Sequence, residues 1–130
     1  MLVFAFFMTT FAGTMNCAAQ GKIPVWIDTD PSVARGGHEV DDGFALIQAF
    51  HSPELEVRGV SVVFGNAPLP TAWPIGKEIV ETFGPKDLHV YKGATSGEEI
   101  AKETEASQAR EAALPKGRPN ILTTVPCTNV

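Results

Sequence analysis

The sequence predicts an α/β fold, built as an open and mostly parallel β-sheet with helices on both faces. Two observations support this fold class. Short apolar runs rich in Val and Ile alternate along the chain with segments whose apolar residues recur at helical spacing. Polar residues stand directly after three of the apolar runs, where parallel strands would end. Alternating strands and helices form right-handed crossovers, which give a parallel sheet with helices packed on its faces.

The first strand and the first helix enclose an acidic loop. Residues 23–27 form an apolar run of the length and composition of a buried strand. Phe44, Ile47 and Phe50 then recur three residues apart, which predicts a helix over residues 42–50. The acidic residues therefore lie in the loop that leaves the strand and at the start of the helix.

The remaining elements continue the alternation. Further strands are predicted over residues 55–64, 88–91 and 120–125, and a helix is predicted to open at Trp73-Pro74, because proline is tolerated in a first helical turn. Residues 96–113 show little apolar periodicity, so an exposed helix and a mobile lid are both left open. The fourth strand has no covering helix after it. We therefore expect a Rossmann-like sheet that is incomplete at its carboxyl-terminal end.

Composition limits the partners. The chain has 130 residues, enough for one small domain, and carries a net charge of -5 with a pI of about 5.1. This acidic balance argues against nucleic acid or an anionic membrane as a partner. The sequence leaves open whether the chain forms a homo-oligomer.

The first twenty residues differ from the rest, since they are mostly apolar or small and no charged side chain occurs before Lys22. The apolar part is too short for a stable membrane span, and we interpret residues 1–20 as a signal peptide. The expected domain is 21–130, exported to the periplasm or secreted; without a signal function the protein would be cytoplasmic.

Four carboxylates lie within fifteen residues, at Asp28, Asp30, Asp41 and Asp42. Carboxylates this close repel one another, and hard oxygen ligands of this kind suit Ca²⁺ or Mg²⁺. Asp30, Asn66 and Thr124 each follow a different predicted strand, so they converge on the edge of the sheet where ligands gather in parallel α/β folds. The sequence therefore predicts a metal site at this edge.

Four short motifs resemble one family. Residues 28–31 are Asp-Thr-Asp-Pro, 41–43 are Asp-Asp-Gly, 62–66 are Val-Val-Phe-Gly-Asn and 126–130 are Pro-Cys-Thr-Asn-Val. Together they resemble the amino-terminal part of the inosine–uridine-preferring nucleoside hydrolases, from about residue 23 to 130. The resemblance implies cleavage of the N-glycosidic bond of a ribonucleoside with a bound Ca²⁺ ion, which would fix the ribose and lower the pKa of the attacking water.

The resemblance also implies roles for single residues. Asp30 would ligate calcium and act as the general base on the attacking water, and Asp42 would be a second calcium ligand. Thr124 would ligate calcium through its backbone carbonyl. Asp41 and Asn66 would hydrogen-bond the ribose hydroxyl groups. Asp28 would support the loop from behind these ligands.

The chain departs from the family pattern in three places. Nine residues, 32–40, separate Pro31 from Asp41, where many members have two. Val125 stands where the family usually has glycine, so the turn at Thr124 is expected to be strained or shifted. A further Asp ligand of calcium and the His that helps the base to leave have no counterpart in these 130 residues.

Two other interpretations are kept. A phosphatase of the haloacid dehalogenase type also places a nucleophilic Asp in an Asp-x-Asp motif after the first strand, but it leaves Asp41 and Asp42 without a role. A truncated, non-catalytic protein that binds calcium or ribose would explain the missing family residues.

Overall fold

The computed structural model describes residues 21–33, 39–99, 102–114 and 120–125. The predicted signal peptide over residues 1–20 lies outside these ranges, as do most of the additional residues between Pro31 and Asp41, so both interpretations stay predictions. Within the described residues, no helix has the length and apolar character needed to cross a membrane.

The described residues contain four strands, three α-helices and one short 3-10 helix in the predicted alternation. In chain order they are β1 (Ile23–Thr29), α1 (Asp41–Phe50), β2 (Leu55–Val62), α2 (Leu69–Phe83), β3 (Val90–Lys92), a 3-10 helix (Gly97–Glu99), α3 (Glu105–Ala113) and β4 (Asn120–Thr123).

The four strands form one parallel sheet in the order β3-β2-β1-β4. The chain moves outward from β1 through β2 to β3 and then returns to the other side of β1. With right-handed crossovers this reversal places α3 on the face opposite α1 and α2. The contacts agree with that arrangement. Within the described residues, α1 packs on α2, and both α2 and α3 pack on β2 and β3, but no extensive contact joins α3 to α1 or α2. The prediction of an open parallel α/β sheet is confirmed.

The apolar core lies between the sheet and the helix pair α1 and α2. Ile27 and Val60 project from the two central strands toward Leu46 of α1 and Ile79 of α2, and Ile79, the most exposed of these four side chains, is only 8% exposed. Burial of such side chains contributes about 1.5–3 kcal/mol each. This core holds the two central strands in place. It therefore determines where the carboxyl ends of these strands lie.

The start of α2 differs from the prediction. The helix begins at Leu69 and not at Trp73, because Pro70 fits the first turn and because Leu69 packs against Val62 of β2. Pro74 consequently lies inside the helix, where it has no N–H to donate.

The sequence of residues 96–113 is compatible with an exposed helix and with a mobile lid. The structure places α3 in its second half. Thr104 caps this helix, since its hydroxyl oxygen accepts the backbone N–H of Ser107 at 3.1 Å while the Ser107 hydroxyl accepts the Thr104 N–H at 2.9 Å. This reciprocal cap fixes where the helix begins.

Candidate active site

Asp30 is the first residue after β1, and its carboxyl group is buried at the carboxyl edge of the sheet, with 3% of the residue exposed. Asp30 Oδ2 accepts the backbone N–H of Asn66 at 2.5 Å. Asn66 lies in the turn that follows β2, so this bond joins the ends of the two central strands.

Gly65 makes that approach feasible. A Cβ atom at this position would lie 1.7 Å from Asp30 Oδ2, closer than any real contact. Glycine therefore has a packing function here, and the backbone of the turn after β2 can wrap over the carboxyl group. The sequence pointed to this residue as part of a strand end but did not reveal what it touches.

The second acidic group arrives on α1. Asp42 is the second residue of this helix and is 4% exposed. The Asn66 side-chain amide donates to both acids, at 3.2 Å to Asp42 Oδ2 and at 3.4 Å to Asp30 Oδ1. Three residues predicted from the sequence therefore meet in one cluster, and they come from three different elements.

The environment of Asp30 shifts its acidity. The pKa of Asp30 is raised from 3.8 to about 7, mainly by burial and also by the hydrogen bond and negative charge of Asp42, whereas the backbone N–H of Asn66 lowers it. Two carboxyl groups that face each other in a buried site favour a shared proton or a bound cation over two free charges.

The other predicted site residues lie around this cluster. Asp41 is exposed at the first position of α1 and forms no hydrogen bond with Asp30, Asp42 or Asn66 within the described residues. An exposed carboxylate beside the cluster has the position expected of a group that meets a ligand from solvent. Its predicted contact with ribose stays a prediction.

Thr124 lies just after β4, next to the end of β1. Its N–H donates to the backbone carbonyl of Asp28 at 3.1 Å, and its hydroxyl donates to Thr29 Oγ1 at 3.3 Å. These contacts place Thr124 at the same edge of the sheet as Asp30, without joining it to the Asp30–Asp42–Asn66 cluster.

The turn after Thr124 lacks the left-handed conformation that a glycine would provide. Val33 has a positive φ, of 34°, whereas Val125 is not among the described non-glycine residues with positive φ. The Thr123 hydroxyl instead closes the turn by donating to the Val125 carbonyl at 2.9 Å. The turn is therefore held by a side-chain hydrogen bond and does not need a glycine in the left-handed conformation. The backbone strain predicted for this turn is not found at Val125.

Asp28 lies in β1, two residues before Asp30, and is buried, with 1% of the residue exposed. Its predicted supporting role stays a prediction. The Ser61 hydroxyl donates to Asp28 Oδ1, and the Trp26 indole N–H donates to Ser61 Oγ at 2.9 Å. Local sequence patterns indicate no role for Ser61 or Trp26 beyond that of strand residues, because both lie inside strands.

The base of the additional loop is closed by a hydrogen bond. The Ser32 hydroxyl donates to the Glu39 carbonyl at 2.9 Å, and Ser32 is 1% exposed. This bond joins the residue after Pro31 to the residue two positions before α1. It therefore keeps the start of α1, which carries Asp42, close to Asp30.

The cluster supplies some, but not all, of the oxygen ligands that a hard divalent cation needs. Asp30 and Asp42 supply buried carboxylate oxygens, and the opposition of these two groups is relieved by a positive charge between them. The part of the chain that the structure describes contains no group of three His, Cys, Asp or Glu side chains close enough to hold a metal ion. Calcium takes six to eight oxygen ligands, so the remaining ligands would have to be carbonyl groups, water or the substrate.

The chain is similar to known proteins of one family. The sequence model of the family described as inosine-uridine preferring nucleoside hydrolase matches residues 25–130. The chain is similar to Uridine nucleosidase 1 of Arabidopsis thaliana, with 36% identity over 69 residues, which cover 53% of this chain and 18% of that protein. It is also similar to the uridine nucleosidase of Saccharomyces cerevisiae, with 35% identity over 74 residues, which cover 56% of this chain and 20% of that protein.

These matches span about a fifth of the length of the curated relatives. The family model, in contrast, extends over most of this chain and includes most of β1, all of α1 and β2, and the turn after β2, which supply the acidic cluster. The chain belongs to the inosine-uridine preferring nucleoside hydrolase family.

Proposed function

We propose that the protein hydrolyses the N-glycosidic bond of ribonucleosides, releasing ribose and the free base, at a site built on Asp30, Asp42 and Asn66. One observation carries this proposal. In a chain that belongs to this family, the three residues come from β1, α1 and the turn after β2, and they meet in a single hydrogen-bonded cluster.

Asp30 is the proposed general base. Its carboxyl group is buried at the edge of the sheet, and in its ionised form a carboxylate can take a proton from a water molecule that lies against it. It accepts a proton from the attacking water, and the water oxygen bonds to C1′ of the ribose. The bond from C1′ to the base breaks, its electron pair leaves with the base, and the base takes up a proton from solvent, so that water and nucleoside give ribose and the neutral base.

Asp30 and Asp42 are the proposed side-chain ligands of calcium, and the carbonyl of Thr124 stays a predicted third ligand. Calcium, when bound, would activate the attacking water and anchor the ribose hydroxyl groups. Carboxylates in this position also stabilise the positive charge that develops on the sugar in an oxocarbenium-like transition state.

Asp41 and Asn66 are the proposed contacts to the ribose hydroxyl groups. Asp41 is exposed beside the cluster, and the Asn66 amide already donates to both acids, so it can exchange one of these bonds for a bond to substrate. Uridine belongs among the test substrates, because two relatives carry the name uridine nucleosidase.

The test measures ribose release by the full-length protein from uridine and inosine, with calcium and with EGTA. We expect release that EGTA removes and added calcium restores. Asp30→Ala and Asp42→Ala should each abolish turnover, whereas Asp87→Ala should not, because Asp87 is an exposed acid before β3.

The same assay decides between this function and the alternatives. Phosphate release from a phosphomonoester in place of ribose release would favour the haloacid dehalogenase-type phosphatase. Calcium binding without release of either product would favour the non-catalytic protein. Unchanged turnover in the Asp30 or Asp42 variant would reject the role assigned to that residue.

A further inference from the structure

The Trp26 side chain is held rigidly on the face of the sheet opposite α1 and α2. It is 1% exposed, and its ring stacks on Tyr91 of β3 with 5.3 Å between ring centroids. On β2 the ring lies over Gly59, where a Cβ atom would approach Trp26 Cζ3 to 2.3 Å. A ring enclosed in this way has one orientation, and its N–H therefore points in a fixed direction.

That N–H determines how Ser61 is oriented. An indole N–H can only donate, so at 2.9 Å the Ser61 oxygen must be the acceptor. The single hydroxyl hydrogen of Ser61 is then available to an acceptor of its own. Asp28 Oδ1 is in close contact, whereas the Ile27 carbonyl is 3.4 Å away. The hydrogen bonds run in one direction, from Trp26 to Ser61 to Asp28.

Asp28 is the next-to-last residue of β1, close to the edge of the sheet at which the site lies. In the register of the sheet it pairs with Ser61 of β2 on one side and with Thr123 of β4 on the other. Its backbone carbonyl accepts the Thr124 N–H at 3.1 Å, and Asp30 follows two residues later. A change in the orientation of Asp28 would therefore be transmitted to both strand ends.

Stability alone does not account for this row of polar groups. Burying polar side chains has a desolvation cost that their hydrogen bonds must offset, and replacing buried charged pairs by apolar side chains of similar size is often neutral or stabilising. The same two strands carry apolar side chains on their other face. The property that polar groups add is direction, because a hydrogen bond fixes the orientation of the acceptor.

We propose that Ser61 is a positioning residue, whose hydroxyl fixes the Asp28 carboxyl group and thereby the direction in which Asp30 leaves β1 toward Asp42 and Asn66. The calcium part of this inference rests on the proposed function. The geometric part concerns the strand ends and holds for the protein without calcium.

The first measurement is calcium affinity of the full-length protein by titration calorimetry. Ser61→Ala should bind calcium about tenfold more weakly than the wild type, as is typical when a residue that orients a metal ligand is lost. Ser61→Thr keeps the hydroxyl and should restore most of the affinity. Ser52→Ala is the matched control, since its hydroxyl bonds to the Gln48 carbonyl at the far end of α1. Equal affinity in the wild type and the Ser61→Ala protein would overturn the inference.

The second measurement is amide hydrogen exchange in the calcium-free protein. Ser61→Ala should speed exchange of the Thr124 amide, which is bonded to Asp28, and Ser61→Thr should not. If the wild type binds no calcium, the proposed function fails, and unchanged exchange at Thr124 then overturns the inference independently. If Ser61→Ala does not fold, Trp26→Phe serves in its place. This variant keeps the Ser61 hydroxyl but removes the donor that orients it. Unchanged calcium affinity and unchanged Thr124 exchange in the Trp26→Phe protein would overturn the inference.

Discussion

The two faces of the central strands carry opposite chemistry. Toward α1 and α2, β1 and β2 present Ile27 and Val60, which pack among other apolar side chains. Toward the other face, the alternate residues Trp26, Asp28 and Ser61 form a hydrogen-bonded row. The apolar face depends on buried area and volume, whereas the polar face depends on direction. The first should therefore govern stability, and the second should govern the geometry of the site that follows it.

The largest loss of stability is expected from a substitution on the apolar face. Leu46→Ala, at a residue that is 1% exposed, should lower the free energy of unfolding by about 2–5 kcal/mol, because it leaves a cavity. Phe44→Ala on the same helix is the control, since Phe44 is 68% exposed and its loss should change stability by no more than about 0.5 kcal/mol. Urea unfolding measures both. A larger loss in the Phe44 variant would contradict the assignment of the two helix faces.

The next effect concerns the site itself. Gly65→Ala forces a Cβ atom against Asp30 Oδ2, so the carboxyl group or the turn must move by about an ångström, which can cost about a hundredfold in turnover. Steady-state ribose release by the full-length protein measures this loss. Gly97→Ala should have little effect, because the nearest atom to a Cβ there is 3.9 Å away. Full activity in the Gly65 variant would show that Asp30 is not needed in this position.

A smaller loss of stability is expected on the polar face. Gly59→Ala places a methyl group against the Trp26 ring and should destabilise the protein by about 1–3 kcal/mol through overpacking. We also expect a change in Trp26 fluorescence, because the ring must tilt. Gly21→Ala, where a Cβ atom meets nothing within 4 Å, is the control. A spectrum identical to that of the wild type would mean that the ring is held by something other than Gly59 and Tyr91.

The pH dependence of stability tests the site separately from the apolar face, because the apolar side chains do not titrate. In the calcium-free folded protein the pKa of Asp30 is raised from 3.8 to about 7 by burial and by Asp42. Between about pH 4 and pH 7 the folded state keeps a proton that the unfolded state has released. Stability should therefore fall as pH rises through this window, by at most about 1.4 kcal/mol per pH unit.

Unfolding by urea at several pH values in EGTA measures this slope, and Asp30→Asn should flatten it because the amide does not titrate. Calcium needs an ionised carboxylate, so its affinity should rise across the same window. Equal slopes in the wild-type and Asp30→Asn proteins would reject the assignment of the titration to Asp30.

Local sequence patterns were sufficient for most elements. Apolar runs and helical spacing place β1, α1 and β2 within two residues of their observed ends. The sequence predicts a start of α2 at Trp73-Pro74, whereas packing of Leu69 on Val62 extends the helix by a further turn. Packing partners in another element leave no mark on local periodicity, so the contribution of Val62 could not be read from the sequence, whereas Pro70 is a first-turn signal that the sequence does contain.

The sequence by itself determined which residues alternate between faces, where the strands end and that Asp30, Asp42 and Asn66 follow such ends or begin a helix. Only the tertiary structure decided which polar groups touch. Trp26 and Ser61 are 35 positions apart, Ser61 and Asp28 are 33 apart, and Asn66 and Asp30 are 36 apart. Hydrogen bonds over such separations depend on strand register and on the path of the connecting helices, whereas periodicity records only which side of each element is buried.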